Sequence, residues 1–160
     1  MTKTLATLAA AETLSSGGTE GAPPIGPFPP PPPNTAGTAT IYYYANVGDF
    51  GHFSIQVDYG GQSLHTEQLV NLVNNTTSIG IVDPATAATA TATLTVPLPN
   101  AQTAMAFQRA LLGQGPFPPY DRSTNSCTTH VGDVLQAGGY PGVPNEGRRI
   151  AVWLKKVAGF

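Results

Sequence analysis

Hydrophobic and polar positions alternate most clearly over residues 52–57. Phe53, Ile55 and Val57 share one parity; His52, Ser54 and Gln56 share the other. That is the pattern of a half-buried antiparallel strand. Before it, the β-branched and aromatic run Ile41-Tyr42-Tyr43-Tyr44-Ala45 predicts a further strand, with Gly48-Asp49-Phe50-Gly51 as the turn between them. Asp58-Tyr59-Gly60-Gly61 turns the chain again, and Ser63 to Val70 returns. There Leu64 keeps the core parity, while Ser63, His65 and Glu67 keep the polar one. The Asn/Thr/Ala-rich stretch 71–99 holds two further short strands, Ser78 to Val82 and Thr91 to Val96.

The period then changes to that of a helix. Ala104, Met105, Phe107 and Leu111 cover one face of a helix over 101–112, and Gly113 stops it. Prolines make Gly115 to Arg122 a loop. Ser123, Thr124 and Asn125 all suit an N-cap, so a helix follows to about Ala137, with Val131, Val134 and Leu135 inward and Gly138-Gly139 as its stop. After a loop at 141–147, an unusually apolar helix is expected from about Arg149 to Val157. The elements predict an α+β fold, an antiparallel sheet packed against helices.

Composition divides the chain. With 18 glycines, 16 prolines and only 10% charged residues, against roughly 25% in an average globular protein, much of it is loop or linker. Residues 3–14 give either a short helix or a frayed arm, and 15–39, with Pro23-Pro24 and Pro29 to Pro33, reads as a stiff polyproline linker. We therefore expect a flexible arm over 1–39 and a single folded domain over 40–160.

Charge and motifs exclude several functions. The formal net charge of −2 and the lack of a basic run argue against nucleic-acid binding. The only cationic cluster, Arg148, Arg149, Lys155 and Lys156, reads as a solvated helix face. No apolar run is long enough to span a membrane. The start, Met1 to Leu14, makes a poor secretory signal because Glu12 cuts its apolar run short. One cysteine permits no internal disulfide. Cys127 with the three histidines offers zinc-ligand types, but the spacings fit no zinc motif. No metal or cofactor is expected, and a monomer is.

The chemistry points to Asn125-Ser126-Cys127-Thr128-Thr129-His130. A lone cysteine is ordinarily an inert core residue. This one lies among polar neighbours in the first turn of a helix, where partial positive charge favours a thiolate and free N–H groups can hold an oxyanion. Its base would come from the hairpin. If the turn centres on Asp58-Tyr59, His52 and His65 lie opposite one another, with Cβ atoms about 5 Å apart. If Gly60-Gly61 form a two-residue turn, which turn chemistry prefers, His65 faces Gln56 and lies about 13 Å along the strand from His52. His130, one helical step from Cys127, is a competing base.

These residues resemble the circularly permuted branch of the NlpC/P60 papain-like superfamily, which includes lecithin:retinol acyltransferase-like proteins. Gly51-His52-Phe53-Ser54-Ile55-Gln56-Val57 looks like its first histidine-bearing strand, His65 like the polar residue of the next strand, and Asn125-Ser126-Cys127 like its nucleophile helix. The chain is similar also to C-terminal toxin domains of polymorphic bacterial effectors. Ser126 departs from the pattern by separating Asn125 from Cys127. The resemblance covers about residues 40–140. It implies a permuted papain-like architecture with Cys127, His52 and His65 catalytic. Asn125 is then a candidate supporting residue, and Tyr44 or Tyr42 a candidate oxyanion donor.

The function expected is a cysteine-dependent hydrolase working through an acyl-thioester on an amide of a peptide or peptidoglycan. The setting would be a secreted or delivered bacterial effector, with an immunity or delivery partner. One rival is a lipid acyltransferase or phospholipase of the same fold, with Ala151 to Phe160 facing a membrane. Another is a non-catalytic module that docks through its proline-rich arm.

Overall fold

The structure, a computed structural model, describes residues 35–159. The expected N-terminal helix and most of the proline-rich linker lie outside the described residues. Five strands form one antiparallel sheet: β1 (Gly37–Tyr44), β2 (His52–Tyr59), β3 (Gln62–Asn71), β4 (Thr76–Ile81) and β5 (Ala92–Leu98). The order across the sheet is β4-β3-β2-β1-β5. Among the described residues, four helices complete the α+β fold: a single turn α1 (Pro84–Ala87), then α2 (Ala101–Leu112), α3 (Cys127–Ala137) and α4 (Gly147–Ala158). The first strand begins ahead of the composition change at Thr40, because Gly37 already pairs with Leu98 of β5. Among the described residues, no helix is long and apolar enough to cross a membrane.

Strand parity sets the two faces of the sheet. Ile41, Phe53, Ile55 and Val57 are buried on one face, in a core with Met105, Phe107 and Leu111 of α2, Val131, Val134 and Leu135 of α3, and Ile150 and Leu154 of α4. Burial of a large apolar side chain contributes about 1.5–3 kcal/mol, so this face holds the helices in place. His52, Ser54, His65 and Glu67 belong to the opposite face. That face is not bare. β4 and β5 occupy opposite edges, so the connection between them crosses the sheet. Its residues Pro84 and Ala87 lie near Tyr42 and His65, and Thr86 and Thr89 near Tyr44 and His52.

The β2–β3 register follows turn chemistry. Gly60 and Gly61 both have positive φ, 59° and 76°, and form a two-residue turn between Tyr59 and Gln62. Side chains other than glycine strain in that region. His65 consequently sits opposite Gln56, and Glu67 sits opposite Ser54. The alternative with His52 facing His65 required the turn at Asp58-Tyr59, where Asp58 instead pairs with Ser63 inside the ladder.

Candidate active site

The sequence starts α3 at Cys127. Ser126 is its N-cap, in extended conformation at φ −137° and ψ 174°. Its backbone N–H donates to Thr129 Oγ1 at 2.6 Å, and Thr129 N–H donates to Ser126 Oγ at 3.3 Å. This reciprocal capping box fixes the first turn. Cys127 is the first helical residue, half-buried, with its thiol at the positive end of the helix dipole. The box engages Ser126 and Thr129, and leaves the amides of Cys127 and Thr128 outside it. Ser126, which departs from the family pattern, thus has a structural role in fixing the helix start.

His52 begins β2 at the same end of the sheet. Gly51 before it has φ 77°, and a Cβ there would fall 2.5 Å from the Tyr43 ring. Only glycine therefore suits the approach to His52. His52 Nε2 lies 2.7 Å from Glu67 Oε2, across from β3. Glu67 faces Ser54 one rung away, so His52 reaches it diagonally, within range for long side chains. Burial opposes a charge on His52. Hydrogen bonding to Cys127 and to Glu67, with the charge of both, outweighs it and raises the pKa to about 9. Cys127, His52 and Glu67 are thus brought together: a thiol, an imidazole and a carboxylate that orients it. Glu67 was visible as a polar-face residue of its strand. Its place beside His52 depended on the register.

His65 is not brought to Cys127. It is 7% exposed, and its Nε2 lies 2.7 Å from Ser54 Oγ, which in turn contacts the Tyr44 hydroxyl at 3.1 Å. The Tyr42 ring stacks on it at 4.3 Å. Burial lowers its pKa to about 4, against the weaker pull of Glu67 and Asp58, so it is neutral at pH 7. Of the two registers left open by the sequence, the two-glycine turn sets the one that places His65 opposite Gln56, away from His52.

Tyr44 likewise spends its hydroxyl on Ser54, while its ring lies 5.8 Å from that of His52. It flanks the imidazole, in place of the oxyanion contact expected of it. Tyr42 sits opposite Ser54, and its hydroxyl donates diagonally to Gln56 Oε1 at 3.4 Å.

Asn125 anchors a loop. Its Nδ2 donates to Thr77 Oγ1 and to the carbonyls of Pro118 and Pro119, at 2.8–3.1 Å, and its Oδ1 accepts from Gln68 Nε2 at 3.0 Å. These bonds tie the proline-rich loop before α3 to β3 and β4. His130, the competing base, is fully buried, and its Nε2 meets Thr66 Oγ1 at 2.8 Å.

A cleft of about 80 Å³ opens beside Cys127. Phe50 and Phe53 line it from the hairpin, Tyr120 and Arg122 from the loop before α3, and Arg148 and Lys155 from α4. Burial, followed by the charge of Cys127, raises the pKa of Tyr120, which sets this phenol close to the thiol. Gly147 brings α4 against the start of α3: a Cβ there would lie 2.2 Å from the Arg122 carbonyl oxygen and 2.9 Å from Ser126 Oγ. Arg148 and Lys155, read from the sequence as part of a solvated helix face, are exposed but border this cleft. Helical periodicity marks Ile150 and Leu154 as inward, but carries no signal of what their exposed neighbours face.

Among the described residues, no group of three or more His, Cys, Asp and Glu side chains is arranged to hold a metal ion. Comparison with family models, with curated proteins and with solved structures finds no match for this chain.

Proposed function

We propose that the chain is a cysteine-dependent hydrolase of permuted papain-like architecture, acting through an acyl-thioester on an amide of a peptide or peptidoglycan. The observation that carries this reading is the meeting of Cys127, His52 and Glu67 at one end of the sheet, beside an open cleft. Glu67 takes the orienting role that the family resemblance assigns to His65. With Nε2 of His52 turned to Glu67, Nδ1 is the nitrogen left for the thiol.

In this mechanism His52 holds the proton of Cys127, and Sγ attacks the acyl carbon. The carbonyl becomes an oxyanion, with the amides of Cys127 and Thr128 at the start of α3 as its donors. As the tetrahedral adduct collapses, His52 gives its proton to the leaving amine and the C–N bond breaks. Water, deprotonated by the same imidazole, then attacks the thioester; the acid leaves and the thiol is restored. A non-water acceptor in that second step would make the protein an acyltransferase. Secretion or delivery as a bacterial effector belongs to the same proposal through the resemblance alone.

A lipid substrate is the second reading. Val152 and Val157 of α4 are 68% and 47% exposed beside Lys155 and Lys156, which gives that helix a partly apolar, cationic outer face.

The test is covalent trapping. The folded protein is incubated with activated acyl esters and with aryl amides, and intact mass is followed. The expected result is an acyl adduct on Cys127 that hydroxylamine releases. Cys127→Ala should abolish it, and His52→Ala should slow it by about 10²-fold or more. A folded wild-type protein that acquires no adduct from either donor would sink the proposal.

A further inference from the structure

We infer that the site takes acyl donors carrying a carboxylate close to the scissile amide, as in an acidic peptide, and that Arg122, Arg148 and Lys155 recognise it. This rests on the cysteine-hydrolase reading and names the substrate class of that site. The chain has only seven Lys and Arg residues and a formal net charge of −2. Three of the seven border the cleft beside Cys127, and among the described residues no carboxylate lines it. So biased a distribution in a weakly acidic protein concentrates positive potential at the thiol.

The local partners of these cations leave them able to bind. Arg122 lies over the Phe50 ring, 3.8 Å from its centre, and the Lys155 ammonium is 5.9 Å from the centre of the Tyr43 ring. A cation on an aromatic face keeps N–H donors for an anion, and the stacking restricts the guanidinium orientation. Arg148 does feel the charge of Asp121, but that exposed carboxylate is already engaged by the Ser123 and Thr124 amides, at 2.8 and 3.0 Å; Arg149, which does not line the cleft, has Glu146 at 3.5 Å. A planar guanidinium matches a carboxylate through two parallel hydrogen bonds. The cations come from two separate segments, the loop before α3 and helix α4, which Gly147 holds together. An anion on the substrate would therefore fix its backbone relative to Cys127 from two sides. The cleft is about 80 Å³, sized for a side chain or a terminal carboxylate.

Two alkylating agents of nearly equal size and different charge test this without knowing the natural substrate. Iodoacetate is an anion and iodoacetamide is neutral. Their rates at Cys127 are compared with their rates at free glutathione, in wild type, Arg148→Gln, Lys155→Gln and the double variant. All four proteins are first checked for equal thermal stability. The ratio of iodoacetate to iodoacetamide is expected to exceed the glutathione ratio by about fivefold, the scale of one or two exposed ion pairs. It should fall towards the glutathione ratio in the double variant and in 1 M salt. Iodoacetamide rates should change little. Glutarate, a dicarboxylate, should protect the thiol from iodoacetate better than inorganic phosphate or anionic phosphatidylglycerol vesicles. An elevated ratio insensitive to both substitutions, a ratio equal to that of glutathione, or better protection by phosphate or vesicles overturns the inference. None of those outcomes affects the hydrolase reading, which fails separately if no acyl adduct forms on Cys127.

Discussion

Nε2 of His52 meets Oε2 of Glu67 at 2.7 Å, with both side chains less than one-fifth exposed. The two lie fifteen positions apart in sequence, at either side of one hairpin. The carboxylate fixes the ring and supports its charge. Replacing it by an amide keeps the shape and removes the charge. Glu67→Gln is therefore expected to lower the pKa of His52 below about 9 and to cut turnover of any acyl substrate by about 10²-fold. Histidine NMR titration reads the first effect, steady-state kinetics the second. An unmoved His52 titration would show that the carboxylate does not tune the ring.

Stability should respond to pH on both sides of about 6.5, the ordinary histidine value, for opposite reasons. The folded-state pKa of His52 is raised to about 9, so its contribution is full below 6.5 and is lost as pH rises through 9. The folded-state pKa of His65 is lowered to about 4, so its contribution is present above 6.5 and is lost as pH falls through 4. Each is worth up to about 3 kcal/mol. Urea denaturation from pH 4 to 9.5 should give a maximum between the two. His52→Ala should flatten the alkaline side alone. A maximum that stays put with both limbs unchanged in that variant would contradict the assignment.

Gly147 lets α4 pack tightly against the start of α3. A methyl group there would fall 2.2 Å from the Arg122 carbonyl oxygen, a backbone atom that cannot step aside. Gly147→Ala should destabilise the domain by about 1–3 kcal/mol and lower Tm by about 5–15 °C. It should also lower the iodoacetate preference of Cys127, since α4 carries Arg148 and Lys155. Differential scanning calorimetry with the alkylation ratio measures both. A variant as stable as wild type would mean that α4 docks more loosely than the contact implies.

Much of this was legible in the chain. Alternation at 52–57 placed Phe53, Ile55 and Val57 inward, and the run of polar caps before Cys127 put it in the first turn of its helix. Gly60-Gly61 even favoured the register that the sheet adopts. The histidine pair needs the other turn, and parity alone, shared by His65 and Glu67, does not say which of the two reaches His52. Tyr120, Arg122, Arg148 and Lys155 could not be found by period or motif. They converge only when α4 docks against the start of α3, a tertiary contact that leaves no local pattern. The short α1 turn was missed as well: Asp83 caps it by accepting from Thr86 N–H at 2.8 Å, inside a stretch whose threonines suggested strands.

On the hydrolase reading proposed above, the split origin of the site also governs when the molecule becomes capable of chemistry. The imidazole and its carboxylate sit on neighbouring strands joined by a two-residue turn, so only a short loop has to close for them to meet. The thiol joins from beyond β4, β5 and α2, a far more distant stretch of chain. Contacts that are near in sequence form faster than distant ones. A chain emerging or refolding thus holds an assembled acid–base pair before it holds an attacker, and stays chemically silent until α3 is seated. For a protein whose chemistry could act on its own neighbours, that order is a safeguard built into the topology. We expect amides of β2 and β3 to gain exchange protection before Cys127 acquires its native rate of alkylation. The reverse order in a quenched-flow experiment would remove the safeguard.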